Sequence, residues 1–570
     1  MKAERGASQV LFGMLPMQTV DLPGGIWKVV RWTDPVPLRL DPSTVRAAVL
    51  EAMGPWIAQG NDSGLEAELR GGARIDVVGV NQDRGVLVEP FPRQWRCRAC
   101  GRLSREKLPT CSGCGAASLA QMHFVAFHDC GALKDPQLPQ CPTHNAVAVR
   151  LPGTTSAREL YFFCPVCQRS LREGFPFQPC SCGASEGMTR NVHRAAAVYS
   201  PHYAVLVNPP DPAVAARLRA TGGGARALEW VIAGVATTRS AEGSQSVDGF
   251  IEALLQQGFP LEDARALAQM ALERGNISPS RTGEEIQLPD AVRQRAQDEA
   301  LSITSALELG RVSVDDMSRN TTPPLRTLYE SAYPAALADA RLSNVELLTS
   351  FPVATLSFGY SRGGGEAGSM PLHAFRDGGG LRSYGAVART EGLLCQLDPL
   401  QVLRYLRQLG FELPTAQNER EARLAILSAV DVPRPTEQAG QPLGIAVATL
   451  VHSYAHRLLR TIGVTAGVER ESLAEYLLPH HLSFIIYAAA RGEFVLGGLQ
   501  ALFETGLHTV LERFAYGEKR CPLDPACSSG GGACMACLHL GEPSCRWFNR
   551  RLDRAALFGA RGYMADAPAR

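Results

Sequence analysis

The sequence predicts a multidomain α+β/mixed α/β protein. It has N-terminal zinc-ribbon modules, a central helical region and a C-terminal α/β domain carrying a four-cysteine zinc knuckle. Three observations predict this. Fifteen of the sixteen cysteines fall into two clusters, ten between Cys97 and Cys182 and five between Cys521 and Cys545, with Cys395 alone. Apolar residues recur three and four positions apart through the middle of the chain, the period of helices. Toward the C-terminus that period alternates with short apolar, β-branched runs, the pattern of a mixed α/β domain. At 570 residues the chain is long enough for three or four domains, each with its own core.

Residues 1–90 combine alternating stretches, IDVVGV and RGVLVEP, with turn signals, and read as a small mixed domain. Residues 91–195 hold the zinc-ribbon modules. The run HRAAAVYSPHYAVLVNP ends at Pro209 and Pro210 and leads back into a globular core. Residues 196–345 form a mainly helical region, with VDGFIEALLQQGF and LEDARALAQMALERG as its clearest periodic segments. Residues 346–570 are expected to form the C-terminal α/β domain. There VATLSFGYSR and GLLCQL read as strands, 399–409 and 443–462 as helices, FIIYAAA and FVLGGL as buried strands, and 499–515 as a further helix. The glycine-rich SRGGGEAGSM at 361–370 has no strand-to-helix context and no lysine, so it reads as a flexible loop rather than a phosphate cradle.

Composition limits the function. A formal charge of +1 gives no whole-chain attraction to nucleic acid or anionic membrane, so any such binding must be local. MKAERGASQVLFGMLPM lacks the continuous apolar stretch of an export signal, and no uncharged apolar run reaches the roughly 18–20 residues of a membrane span. A cytoplasmic, non-membrane protein is expected, and in that reducing compartment paired cysteines read as metal ligands. Only five lysines occur, none after a glycine, which excludes a Walker A loop. None has an acidic residue or a histidine two positions before it. This removes the Asp/Glu-x-Lys half of restriction-type nuclease sites and the phospholipase-D-type motif. No histidine opens an HExxH or HxE motif.

Spacing assigns the metal sites. Cys97-x2-Cys100 and Cys111-x2-Cys114, each followed by glycine, suit one tetrahedral Zn²⁺ with four thiolates, a closed structural site. Cys164-x2-Cys167 with Cys180-x-Cys182 is expected to form a second site. Between them, His128-x-Cys130 and Cys141-x2-His144 can close a mixed site, or can be ordinary buried Cys and hydrogen-bonded His. At the C-terminus Cys534-x2-Cys537 is the tight pair, with Cys527 and Cys545 completing the set and Cys521 as the spare. Three zinc sites are thus expected and a fourth is permitted.

His452 and His456 share one helical face, one turn apart, which can hold a metal or phosphate. With no nearby Glu or third His to complete a ligand set, a hydrogen-bonded pair at a domain interface is the favoured reading. Two basic patches carry aromatics: RQWRCRACGRLSREK, with Arg93, Arg96, Arg98 and Trp95, and RWFNRRLDR, with Arg546, Arg550, Arg551, Trp547 and Phe548. Arginine beside aromatics suits phosphate pairing and base stacking, although zinc modules also carry surface arginines with no such role.

The run from LVHSYAHRLLRTIG through SLAEYLLP, FIIYAAARGEFVLGGLQALFETG and DPAC to GGACMACLHLGEPSC and FNRRLDRAALFG resembles a known domain. It is similar to the C-terminal zinc-binding domain shared by MrfA-like helicases and the DrmB family, the B subunit of DISARM anti-phage defence. The resemblance covers about 443–559 and, more loosely, HRAAAVYSPHY and RTEGLLCQLDP. It implies a non-catalytic subunit that partners a separately encoded SNF2-like helicase, DrmA, and contributes to DNA binding. It also implies Cys527, Cys534, Cys537 and Cys545 as ligands, with Cys521 a departure. Two alternatives stay open: a nuclease or other hydrolase using His452, His456 and acidic residues such as Glu469 and Glu471, or an interaction scaffold without DNA contact.

Overall fold

The computed structural model describes residues 6–151, 157–234, 247–273, 288–434, 437, 439–466, 472–489, 497–541, 544–545 and 547–565. Arg546, Glu469, Glu471 and the first half of FVLGGL lie outside them. The chain forms two compact units, Met1–Leu206 with Ala354–Val387, and Val207–Val353 with Ala388–Arg570. The domain boundaries expected at 90, 195 and 345 are corrected accordingly. Residues 1–90 do not close a core of their own: the strand Ile75–Gly79 runs parallel to Leu381–Tyr384, and hydrophobic residues near 45–77 pack with Ala354, Leu356, Phe358 and Leu381.

In the first unit a meander of Thr19–Leu22, Gly25–Trp32 and Val86–Pro90 turns through Gly24 and Gly25, both at positive φ. The helix Pro42–Ala52 starts at Asp41, whose carboxylate accepts from Thr44 N at 2.8 Å, a side-chain cap with proline at the first position. Val45, Val49, Met53 and Trp56 carry that helix and the next into the core, each worth about 1.5–3 kcal/mol on burial. SRGGGEAGSM is a packed loop: Asn61 Nδ2 and Trp56 Nε1 donate to the carbonyls of Gly368 and Met370 at 2.8 and 3.0 Å. Arg362 within it is fully buried. It donates to the carbonyls of Met17, Gly131 and Val198 and lies over the rings of Tyr199 and Tyr360.

Residues 94–192 fold into three ribbons, each a three-stranded antiparallel sheet. Trp95–Cys97 is central between Leu103–Ser104 and Leu119–Gln121; Phe124–Phe127 between Leu133–Lys134 and Thr189–Val192; Tyr161–Phe163 between Ala148–Arg150 and Ser170–Glu173. The apolar clusters here are small. Phe124, Val149, Leu160 and Phe162 anchor one; Val125, Phe127 and Leu133 anchor another. So few buried side chains fall short of the entropy cost of ordering the ribbons, which therefore need cross-links.

In the second unit the helices include Pro212–Ala220, Gly223–Ala233 and Asp290–Leu309, in line with the helical period read for this region. Its sheet pairs Gly392–Gln396 with Ser483–Ala488, and that strand with Leu473–Leu478, all antiparallel. The long helix Pro442–Ala466 packs on this sheet. From Leu450 to His456 every side chain is buried, so this helix is enclosed on all sides there rather than amphipathic. FVLGGL does not end as a strand: Gly498–Ala501 is helical and continues through a π-helical turn to Leu507–Tyr516. Cys395 is buried in its strand, apart from any cluster, and burial pushes its thiol pKa far up. No helix among the described residues is long and apolar enough to cross a membrane.

Candidate metal centres

Zinc held tetrahedrally at 2.3 Å by thiolates needs sulfurs about 3.7 Å apart, and a nitrogen in place of one needs about 3.5 Å. Among the described residues, five groups of four side chains come close enough to that condition that they could hold a metal, their ligand atoms all within 4.8 Å of one another.

The first is Cys97, Cys100, Cys111 and Cys114, as spacing predicts, with Sγ–Sγ separations of 3.6 Å for Cys97–Cys114 and for Cys100–Cys111. Cys97 ends the central strand of its ribbon. Gly101 N and Gly115 N each donate to the carbonyl of the first ligand of their pair at 2.9 Å, and both glycines have positive φ. A side chain at Gly101 would stand 2.7 Å from the Val149 carbonyl, so only glycine fits there.

The next two groups correct the sequence assignment. Cys164 and Cys167 do not join Cys180 and Cys182. Cys141, His144, Cys164 and Cys167 form one group, and His128, Cys130, Cys180 and Cys182 the other. The reason is knuckle geometry. In the two pairs with two intervening residues, Asn145 N and Gln168 N donate to the carbonyls of Cys141 and Cys164 at 2.8 and 2.9 Å. Asn145 and Gln168 take the left-handed conformation that Gly101 and Gly115 take in the first centre. In the two pairs with one intervening residue, Gly131 N and Gly183 N reach back one residue less, to His128 and Cys180. Like spacing pairs with like, each pair closing one end of a ribbon.

In the Cys141 centre His144 Nδ1 lies 3.6 Å from both Cys141 Sγ and Cys164 Sγ, and Cys141 Sγ lies 3.9 Å from Cys167 Sγ. Val166 N donates to Cys164 Sγ at 3.4 Å, which favours the thiolate. In the His128 centre Cys130 Sγ and Cys180 Sγ are 3.4 Å apart, and His128 Nδ1 is 3.7 Å from Cys182 Sγ. His128 Nε2 lies 3.2 Å from the Glu186 carbonyl, which can only accept. That fixes the proton on Nε2 and leaves Nδ1 as the metal-facing atom. Asp129 Oδ1 also stands 2.7 Å from Nδ1.

At the C-terminus the ligand set is corrected as well. Cys521, Cys527, Cys534 and Cys537 cluster, with Sγ–Sγ distances of 3.5 Å for Cys521–Cys534, 3.6 Å for Cys527–Cys537 and 3.7 Å for Cys534–Cys537. Leu523 N donates to Cys521 Sγ at 3.4 Å, and Asp524 N to the Cys521 carbonyl, so Cys521 sits in a turn built to present it. Arg554 holds Asp524 at 2.6 Å. The hydrogen bond that Ser528 Oγ donates to Asp524 at 2.6 Å, with that of Cys521 N and the Arg554 contact, draws the Asp524 carboxyl down to about 2.

Cys545 stands elsewhere, with His452, His456 and Glu475. The two histidines are a hydrogen-bonded pair, as the sequence reading favoured, and Glu475 stands beside them as the carboxylate that reading did not find. It comes from the strand Leu473–Leu478, where a single Glu in an apolar run carries no motif. His452 Nε2 lies 2.9 Å from His456 Nε2, 3.1 Å from Glu475 Oε1 and 3.3 Å from Cys545 Sγ; His456 Nε2 lies 3.2 Å from Glu475 Oε1.

The arginine patches change in a different way. Arg98 and Arg550 are exposed, Arg96 is half-buried, and Arg93 pairs with Glu89 at 3.4 Å. Arg551 donates to the Glu437 carbonyl. Trp95 and Trp547 are buried, the latter with its ring 5.6 Å from that of His452, so neither offers a face for stacking; of the expected aromatics only Phe548 is exposed. Burial of the indoles follows from their place beside ligands, Trp95 in the central strand that ends at Cys97 and Trp547 two residues after Cys545.

A family model described as a domain of unknown function, DUF8724, matches residues 6–200, which span the meander and all three ribbons. No curated protein matches the chain.

Proposed function

We propose that the chain is a zinc-stapled, non-catalytic subunit. On the C-terminal resemblance, it is a DrmB-like member of a DISARM-type anti-phage complex that partners a SNF2-like helicase of the DrmA kind and contributes to DNA binding in the cytoplasm. The observation that carries the non-catalytic reading is the ligand count. Every candidate centre offers four protein ligands, which fill a tetrahedral zinc and leave no position for water or substrate. The hydrolase alternative needs an open metal position, whereas Cys545 supplies a fourth ligand beside His452, His456 and Glu475.

DNA contact rests on two separate patches, Arg98 with Arg93 and Arg96 in the first unit, and Arg550 with Phe548 and Arg551 in the second. The role of the arginines is backbone pairing, since the tryptophans are enclosed and Phe548 alone of the patch aromatics offers an exposed ring. The chain copurified with its helicase should bind DNA in a salt-dependent manner. Arg98→Glu with Arg550→Glu should weaken binding several-fold across sequences and flatten the salt slope by about one unit per lost contact. Unchanged binding favours the scaffold without DNA contact. ATP hydrolysis should require the partner, and DNA-stimulated turnover by this chain alone sinks the subunit reading.

A further inference from the structure

The group around His452 has features that hydrogen bonding alone does not account for. All four side chains are essentially enclosed: His452 and His456 are 0 % exposed, Glu475 1 % and Cys545 4 %. His456 Nδ1 is 2.8 Å from the Leu538 carbonyl, an obligate acceptor, so the ring proton sits there and Nε2 presents a lone pair. That lone pair faces His452 Nε2 at 2.9 Å. Glu475 Oε1 stands 3.1 and 3.2 Å from the two Nε2 atoms, yet among the described residues neither carboxylate oxygen has an aligned hydrogen-bond donor. Four ligand-type atoms thus converge on one point. A single proton on His452 Nε2 can serve only one of its two hydrogen-bond partners there, His456 Nε2 or Cys545 Sγ, and a buried carboxylate without an aligned donor costs several kcal/mol unless a cation neutralises it.

We infer that His452 Nε2, His456 Nε2, a Glu475 carboxylate oxygen and Cys545 Sγ bind a further divalent metal, Zn²⁺ by the chemistry of its donors. Two neutral imidazoles, a carboxylate, a thiolate and a dication sum to zero charge, as an enclosed site requires. Imidazole, thiolate and carboxylate are together the ligand types of zinc. The four separations that involve His452 or join His456 to Glu475, 2.9–3.3 Å, are slightly below the roughly 3.3–3.5 Å of a filled tetrahedral site, so those atoms need to part by only a few tenths of an ångström, and all four ligand atoms lie within 4.8 Å of one another.

The surroundings show what this ion does. Asn549 N donates to Cys545 Sγ at 3.3 Å, while the Asn549 amide makes two 2.9 Å hydrogen bonds with the Leu540 backbone. Glu475 N donates to the Ser544 carbonyl at 3.1 Å. Arg460, one turn beyond His456, donates to the Ala536 and His539 carbonyls at 2.9 Å. The Cys521 centre folds the knuckle upon itself. The His452 centre fastens Leu538, Leu540, Cys545 and Asn549, just beyond that knuckle, to the long helix and to the strand Leu473–Leu478.

Native mass spectrometry of the full chain, together with its helicase if the two copurify, tests this. Cys545→Ala and His456→Ala should each carry one zinc ion fewer than the parent chain, whereas Cys395→Ala should lose none. Unchanged zinc in both folded variants means that protons hold the cluster together, which overturns the assignment. Should the variants fail to fold, the unmodified chain loaded with Co²⁺ decides. A one-thiolate centre should add d–d absorption at higher energy than the sulfur-rich centres, and a purely sulfur-rich spectrum overturns the proposal.

Discussion

In the three N-terminal ribbons every candidate ligand sits in or beside a tight turn at a strand end. Around the C-terminal knuckle, by contrast, two ligands ride on the long helix Pro442–Ala466 and one on the strand Leu473–Leu478. The ribbons have little else. Their clusters gather few apolar side chains, so a metal held there would stand in for a core. The long helix already buries Val447, Leu450, Val451, Tyr454, Leu458 and Leu459 before any ion is considered. A metal would therefore make structure in the ribbons, whereas one held by His452, His456, Glu475 and Cys545 would attach structure that already has a core.

Complete zinc removal should expose that contrast most strongly. A structural zinc contributes an apparent 10–16 kcal/mol or so, comparable to the whole stability of a domain. Amides of Phe124–Phe127 and Tyr161–Phe163 should then lose hydrogen-exchange protection while those of Ser483–Ala488 keep theirs. Persistent protection in the ribbons breaks the comparison.

Next in size are double-mutant cycles on the corrected grouping. Cys141→Ser and Cys164→Ser should each cost several kcal/mol and, sharing one centre, be strongly non-additive. Cys164→Ser with Cys180→Ser, in different centres, should be closer to additive. The reverse pattern would restore the assignment by nearest neighbours. At the other end Cys521→Ser should release one zinc ion, whereas the ligand set implied by the resemblance makes it silent.

The smallest effect concerns the turns. Gln168 carries the left-handed strain that glycine carries elsewhere, so Gln168→Gly should change stability by no more than about 1 kcal/mol, in the stabilising direction, in thermal denaturation. Gly101→Ala should be clearly destabilising, because of the Val149 carbonyl.

How far the sequence could be read follows the same division. The mixed α/β character and the Cys97 centre were legible, because two CxxC turns ending in glycine contain their whole geometry in a short stretch. The partition of the next eight ligands was available in principle. Matching the number of residues between ligands, and allowing Asn145 and Gln168 in the glycine position, gives the observed groups, whereas proximity along the chain gives the wrong ones. Glu475 had no local signal. Its chemistry depends on a strand register and on a helix and a cysteine that are distant in sequence, His452 and Cys545 being 93 positions apart. The buried tryptophans misled for the opposite reason: beside ligands, an indole is recruited to cover the metal site before it can offer itself to a base.

The order of ligands along the chain has a kinetic meaning. The Cys141 group lies wholly inside the Cys130-to-Cys180 span of 50 positions, and its own cross-links span 26 positions or fewer. A growing chain thus presents a complete inner set before the outer set exists. Closing the shorter loop first costs less entropy and shortens the loop that remains. It also withdraws Cys164 and Cys167 before Cys180 and Cys182 emerge to compete for them. Nesting thus removes one competitor during synthesis but not the other: His128, Cys130, Cys141 and His144 emerge together before Cys164. The mispairing a nascent chain must escape is that earlier set, whereas a refolding full-length, zinc-stripped chain faces both.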